Sequence, residues 1–274
     1  MSTPPRPSLR FRRLLLTGAA GNLGRELRPR LRAYADVLRV SDRHDVGPAV
    51  VGEEVMLAAL EDKAAVRGLL DGVEAVVHLG GISTEQPFES ILAGNIVGVV
   101  NLYEAARVHH VRRIIFASSN HVTGFYRQDQ VVSPRDPVRP DGMYGLSKAF
   151  GEGLAQLYWD RYRIETVSVR IGSSFAAPAD RRMLATWLSF DDAERLIVAA
   201  LGAPVVGHTI LYGMSDNTTT WWDNTVARHV GFRAQDSSEP FRALVEARQP
   251  VLDADDPAVI YQGGRFVRTG PFED

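Results

Sequence analysis

Apolar and polar positions along the 274-residue chain alternate between two rhythms. "RRLLLTG", "DVLRVSD", "EAVVHLGG", "RRIIFASS" and "ETVSVRIG" are short, near-continuous apolar runs rich in leucine and β-branched residues. Strands buried on both faces read this way, because neither face has to meet water. Between them, "NLGRELRPRLRAY", "DKAAVRGLLDG", "FESILAGNIVGVVNLYEAARVHH" and "MYGLSKAFGEGLAQLYWDRYR" repeat their apolar residues at the spacing of one helix face. Strand and helix in regular succession predict an α/β chain with a doubly wound parallel sheet. From about Gly172 the rhythm breaks into proline, tryptophan and turn residues. The pattern therefore divides the chain into a flexible lead-in at 1–10, a sheet domain at 11–171, and a smaller region at 172–274. That last region is expected to cap the sheet's carboxyl edge and to supply substrate contacts.

Composition changes this picture mainly by exclusion. A formal net charge of −2 offers no bulk attraction to nucleic acid or anionic membrane, so neither is expected as a partner. The absence of cysteine rules out a disulfide framework, a thiolate nucleophile and a thiolate metal site. No "HExxH" or other close ligand spacing occurs, and no metal is expected. "RFRRLLLTGAAGNLGREL" places twin arginines before an apolar run, but Arg25 and Glu26 end it without a small-residue cleavage site, which favours a cytoplasmic protein. No apolar segment is read as approaching the roughly 18 residues of a membrane span.

Candidate chemistry begins in "LLLTGAAGNLGREL", where Gly18, Gly21 and Gly24 recur every third residue between a strand and a helix. Glycine permits the tight turn and lets a pyrophosphate approach the backbone at the helix N-terminus. Glycine triplets are common alone; here the strand precedes, the helix follows, and Asp42 closes the second strand about 20 residues on, where a carboxylate can accept hydrogen bonds from an adenosine ribose. That carboxylate would repel a 2′-phosphate, so NAD is expected over NADP, with Arg43 next door as the one opposing charge.

In "MYGLSKAFGE", Tyr144 and Lys148 stand one helical turn apart on one face. Free tyrosine has a pKa of roughly 10, and a neighbouring ammonium favours its phenolate. "IIFASSN" delivers Ser119 at the carboxyl end of a strand, where such sheets bind ligands. A Tyr-x-x-x-Lys pair by itself is usually two polar residues on a helix. With the glycine loop upstream and the strand-end serine, the three predict a proton-abstracting site beside a hydride acceptor.

These motifs resemble those of the extended short-chain dehydrogenases/reductases of the NAD-dependent epimerase/dehydratase type, whose Rossmann fold is the sheet predicted above. Within them the chain is similar to the uronate dehydrogenases, from about Arg13 to the end. "LLLTGAAGNLGR", "GNIVGVVNLYEAAR" and "RPDGMYGLSKAFGE" are superfamily motifs, whereas "GGIS", "SSNH" and the arginine before "MLATW" point to the uronate enzymes. The resemblance implies oxidation of the C1 hydroxyl of cyclic D-glucuronate or D-galacturonate to an aldarolactone with hydride transfer to NAD, and a homo-oligomer. It implies cofactor contacts from Asn22, Leu23, Leu60, Leu79, Gly80, Gly81 and Ile171, alongside Gly18, Gly21, Gly24, Asp42, Tyr144 and Lys148. Ser83, Ser119, Asn120, His121, Tyr144 and Ser173 match the sugar-contacting positions, and Arg182 would clamp the carboxylate with paired charge-assisted bonds. One departure stands out: Ala59 in "VMLAALED" occupies the position of the usual adenine-contacting aspartate.

Two other functions share these motifs, a sugar-nucleotide epimerase or dehydratase and a regulator that binds NAD without turnover. The short C-terminal region disfavours the first and the Tyr–Lys pair the second. His109 and His110 end a helix and are read as complementing its dipole. Trp221 and Trp222 are read as packing rather than as a sugar platform.

Overall fold

The computed structural model describes residues 9–249, 253–270 and 272. Residues 1–8 of the expected lead-in lie outside the described residues. Seven strands form one sheet: β1 (Phe11–Thr17), β2 (Ala35–Ser41), β3 (Glu53–Val55), β4 (Ala75–His78), β5 (Arg113–Ser119), β6 (Glu165–Ile171) and β7 (His208–Gly213). Their order is β3-β2-β1-β4-β5-β6-β7, and every neighbouring pair is parallel. The α-helices among the described residues are α1 (Asn22–Leu31), α2 (Lys63–Leu69), α3 (Phe88–Ile91), α4 (Gly98–Val108), α5 (Met143–Tyr162), α6 (Met183–Thr186), α7 (Phe190–Gly202), α8 (Arg242–Arg248) and α9 (Pro257–Ile260).

Alternation along the strands explains the two layers. Leu14 and Leu16 of β1 pack with Leu27 and Leu31 of α1 and with Leu196 and Leu201 of α7. Leu15 points the other way, into a cluster with Val66 of α2, Leu102 of α4 and Ala155 of α5. Successive strand side chains face opposite sides, so a run apolar at every position is what a sheet covered on both faces requires. All five strands predicted from apolar runs are present. β3 and β7 are additions. β3 is "EEV", an edge strand whose exposure removes the need for an apolar run. β7 lies in the stretch whose pattern is irregular, yet it pairs with β6, and α7 covers the sheet beside α1. So part of the 172–274 region completes the sheet, while the remainder passes over its carboxyl edge.

The helical stretch Phe88–Val108 corrects an expectation: it is 21 residues long and apolar enough by composition to cross a membrane. In the fold it is a core element. Val99, Leu102, Tyr103 and Ala106 are buried against the sheet, and the buried Asn101 donates to the carbonyls of Leu60 and Glu61. A π-helical segment at Leu92–Val97 interrupts it and turns Asn95 inward.

Beneath the carboxyl edge lies a buried ion pair. Glu152 of α5 accepts from Arg170 Nε and Nη2 of β6, both at 2.9 Å, and from Ser118 Oγ of β5 at 2.6 Å. Arg170 Nη1 donates to Tyr212 Oη of β7 at 3.4 Å, which is in turn 3.0 Å from Thr123 Oγ1. The pair raises Arg170 further above its usual range, against its burial. Removing one buried partner costs about 3–5 kcal/mol, because the other charge stays buried and unpaired. Glu152→Ala should therefore lower the unfolding free energy measured by chemical denaturation by that amount, and the double variant Glu152→Ala/Arg170→Met should recover a large part of it. Additive losses in the double variant would contradict the pairing.

Candidate active site

The carboxyl ends of the strands open into one cleft of about 780 Å³. At its floor the chain leaves β1 through Gly18 with φ +73°, and a Cβ there would lie 2.6 Å from the Gly80 nitrogen. A Cβ at Gly24 would collide with the Gly18 carbonyl oxygen. Glycine at both positions lets the first turn of α1 come down onto the loop. No side chain caps that helix, which leaves backbone N–H groups to face an anionic group. Asp42, just past β2, accepts from Ala20 N at 3.1 Å and His44 N at 3.0 Å, so its carboxylate is held against the glycine loop. Across the floor, Gly80 N donates to Thr17 Oγ1 at 3.2 Å, and Thr17 Oγ1 lies 2.7 Å from Nδ1 of the buried His78. Burial, with Lys148 adding, pushes His78 down to about 3, so the ring is neutral. Loop, helix terminus and carboxylate together fit a dinucleotide: pyrophosphate on the helix, ribose on Asp42.

Ser119 ends β5, and Tyr144 and Lys148 stand in the first turns of α5; all three are buried. Lys148 Nζ donates to the Ala117 carbonyl at 2.9 Å and lies 5.7 Å from the centre of the Tyr144 ring. Burial pulls Lys148 down to about 8. It also pushes Tyr144 up to about 12, opposed by the Ser119 hydroxyl and reinforced by Asp141. Desolvation is the largest influence on Tyr144 and acts against the phenolate.

Helix α5 opens at Gly142, which has no side chain with which to cap it. Glu85 does so from 58 residues upstream: its carboxylate accepts from Met143 N at 2.7 Å and Tyr144 N at 2.8 Å. The loop carrying Glu85 also carries Ser83. Asn95 holds that loop by accepting from Ile82 N at 2.7 Å and donating to the Ile82 carbonyl at 3.0 Å and to Ser147 Oγ at 2.9 Å. Two side chains thus bind the Ser83 loop to the helix that carries Tyr144.

At the other end of the cleft, Arg182 is held by neutral partners. Nε donates to the Gln262 carbonyl at 2.6 Å and Nη1 to Ser173 Oγ at 3.3 Å. In the Asn120 amide orientation that satisfies both its neighbours, Oδ1 accepts from Arg182 Nη2 at 2.6 Å and Nδ2 donates to the Ile171 carbonyl at 3.0 Å. Burial pulls this guanidinium below the usual arginine range, and Asp180 and Asp141 act on it only as nearby charges. The result is a half-buried cation without an ion-pair partner among the described residues.

The structure brings every sequence-predicted site residue to this cleft. Gly18, Gly21, Asn22, Leu23, Gly24, Asp42, Leu60, Leu79, Gly80, Gly81 and Ile171 line the floor and the nucleotide end; Ser83, Ser119, Asn120, His121, Tyr144, Lys148, Ser173 and Arg182 line the remainder. Ala59 is half-buried between Ala58 and Leu60, which do line it. Trp222 stacks on Tyr212 at 4.6 Å and donates to Gln262 Oε1, and Trp221 is buried beside it, so both are packing. His109 caps the C-terminus of α4. Glu85, Asn95, Asp141, Gln262 and Phe266 were not foreseen. Asp141 sits in "RPDGMYG" beside the tyrosine, a usable signal; the others act through partners too distant in sequence to be paired by spacing.

Comparison with known proteins agrees with this geometry. Residues 14–202 match the NAD dependent epimerase/dehydratase family. A uronate dehydrogenase of Pseudomonas putida is 59% identical over 273 residues, covering 99% of this chain and 100% of that one. The crystal structure of a glucuronic acid dehydrogenase from Chromohalobacter salexigens superposes with a TM-score of 0.93 at 50% identity, covering 94% and 97% of the two chains. A mutant uronate dehydrogenase from Agrobacterium tumefaciens complexed with NAD gives 0.94 at 47% identity, covering 96% and 100%.

Burial of Lys148 has a cost with a defined pH dependence. The folded group titrates near 8 and the unfolded one near its ordinary value. The unfolded chain therefore binds more protons between those values, and stability rises with pH across that window. Lys148→Met should raise Tm at pH 7, with the gain shrinking as pH climbs above 8. A variant melting below the parent protein at pH 7 would refute the desolvation cost.

Proposed function

The chain belongs to the NAD dependent epimerase/dehydratase family, and within it we propose that it oxidises the C1 hydroxyl of cyclic D-glucuronate and D-galacturonate to the aldarolactone, as an NAD-dependent dehydrogenase. The observation that carries the substrate class is Arg182, a half-buried cation at the cleft wall whose partners are all neutral. A carboxylate entering the cleft would supply the missing charge through a planar, two-pronged contact. The similarity to uronate dehydrogenases supports the same reading.

The glycine loop and Asp42 would hold NAD, which when bound supplies the acceptor for the hydride leaving C1. Asp42 faces the ribose and disfavours a 2′-phosphate, hence NAD over NADP. Tyr144 receives the proton of the C1 hydroxyl. Burial makes its phenolate costly, and the chain offers two groups against that cost, the Ser119 hydroxyl and the Lys148 ammonium. Ser119 also holds the substrate oxygen, while Asn120, His121, Ser83 and Ser173 offer donors and acceptors to the ring hydroxyls. A protein that only sensed NAD would leave Tyr144 and Lys148 without a task. A cytoplasmic protein with no nucleic-acid or membrane partner is part of the same reading, and so is a homo-oligomer. Phe88, Leu92 and Val97 are exposed along one helical stretch, as are Leu146, Phe150 and Leu157 on the adjoining α5, and a second copy would cover such apolar positions.

Purified protein with NAD and either uronate should produce NADH absorbance, with far slower turnover on glucose, galactose or NADP. Hydrogen bonds to charged groups are worth about 1.5–3 kcal/mol, so Arg182→Ala should reduce uronate kcat/KM by roughly tenfold to a hundredfold or more. Activity on the neutral sugars should fall much less. An unchanged uronate-to-neutral ratio would remove Arg182 from substrate recognition.

Tyr144→Phe keeps the ring packed and deletes only the titrating oxygen. Turnover should drop by at least ~100-fold, the reach of general-base catalysis, while NAD binding by titration calorimetry stays within about twofold. Near-normal turnover would make Tyr144 a bystander.

A further inference from the structure

His121 and Asp141 form a buried pair that proton abstraction does not use. His121 sits in the turn Asn120–Thr123 after β5, with Nδ1 2.6 Å from Asp141 Oδ2. The ring is clamped: Phe266 stacks on it at 3.7 Å between centroids, and Tyr144 meets it edge-on at 5.8 Å. Asp141 has still less freedom. Gly124 and Gly263, from separate segments, approach so closely that a Cβ on either would collide with the carboxylate. Its backbone N–H donates to the His121 carbonyl at 3.3 Å.

A carboxylate can only accept, so the proton shared with it belongs to Nδ1, and Nε2 keeps its lone pair. Among the described residues Asp141 is the only hydrogen-bond partner of this ring, and His121 lines the cleft. We propose that Asp141 is a positioning residue that locks His121 in the Nδ1–H tautomer, so that Nε2 presents a neutral acceptor to one hydroxyl of the sugar. The proposal supplies what Arg182 lacks. Arg182 can only donate, and its bonds already engage Asn120 Oδ1 and Ser173 Oγ; a sugar hydroxyl that must itself donate needs an acceptor. The charged groups acting on the ring are Asp141, Glu85 from the Ser83 loop, and Arg182. The carboxylates favour a charged ring, Arg182 opposes it, and burial outweighs both carboxylates to keep it neutral. A second proton would convert the acceptor into a donor facing a cation.

The acceptor's ligand rests on the uronate reading, whereas the tautomer does not, and the experiment separates them. In protein labelled with 15N-histidine, the His121 ring signals are identified as those missing from His121→Gln. At neutral pH they should show a protonated Nδ1 and a bare Nε2. Asp141→Asn, whose amide N–H can donate to Nδ1, should shift the ring toward the Nε2–H form. Loss of one hydrogen bond should then raise KM for the uronate about tenfold, with KM for NAD unchanged. Three results would overturn the proposal: a proton on Nε2 or on both nitrogens in the parent protein, an unaltered tautomer in Asp141→Asn, or an altered tautomer with unaltered uronate KM. If Asp141→Asn fails to fold, the parent spectrum decides alone. A bare Nε2 in a protein that turns over no uronate would defeat the substrate assignment and leave the tautomer standing.

Discussion

Beneath the cleft, the carboxylate of Glu152 meets the guanidinium of Arg170 where solvent cannot reach either. A lone charge at that depth would be intolerable, so the two must stay together, and each is attached to elements that deliver chemistry. Glu152 lies on α5 with Tyr144 and Lys148 and also receives the Ser118 hydroxyl, one residue before Ser119. Arg170 precedes Ile171 at the end of β6 and reaches Tyr212, whose hydroxyl touches Thr123 in the turn carrying Asn120 and His121. The relative positions of serine, tyrosine and histidine thus depend on one electrostatic constraint below the substrate, out of competition with it.

Above that pair the cleft is organised by what is left uncompensated. Arg182 has oxygen partners but no anion, and His121 is neutral with one nitrogen bound and one open. Lys148 is held by a carbonyl rather than a carboxylate. Desolvation acts on all of them in one direction, disfavouring charge, which makes the cleft most receptive to a ligand that brings a carboxylate and several hydroxyls. The carboxylates of the site are placed where they do structural work instead: Asp42 beside the glycine loop, Glu85 on the N-terminus of α5, and Asp141 behind His121.

Much of this was legible in the residue order. Five strands followed from unbroken apolar runs, because a sheet covered on both faces imposes the same demand at each position. Gly18 and Gly24 were legible because the backbone they allow tolerates no Cβ, and Tyr144 with Lys148 because a helix turn brings neighbours four apart onto one face. β3 and β7 escaped: an edge strand of three residues carries little pattern, and β7 follows a run of turns. The apolar stretch from Phe88 was underestimated because its buried Asn95 and Asn101 mask its length. Residue types reveal a lysine near Tyr144 but not the depth at which both are buried, and that burial pushes the phenol up.

By itself the sequence determined the parallel α/β fold and the nucleotide end, which follow from local periodicity or from a motif whose parts are close along the chain, while the sugar-facing groups followed from the resemblance to the uronate dehydrogenases. Only the tertiary structure decided which polar groups are satisfied and by whom. Glu85 caps a helix 58 residues away, and Arg182 takes the carbonyl of Gln262, 80 residues on. Asp141 and His121, 20 residues apart, become a fixed pair because glycines from other segments close around the carboxylate. Hydrogen-bond partners and burial are properties of three-dimensional proximity, and spacing along a chain encodes them only within a turn of helix or a pair of strands.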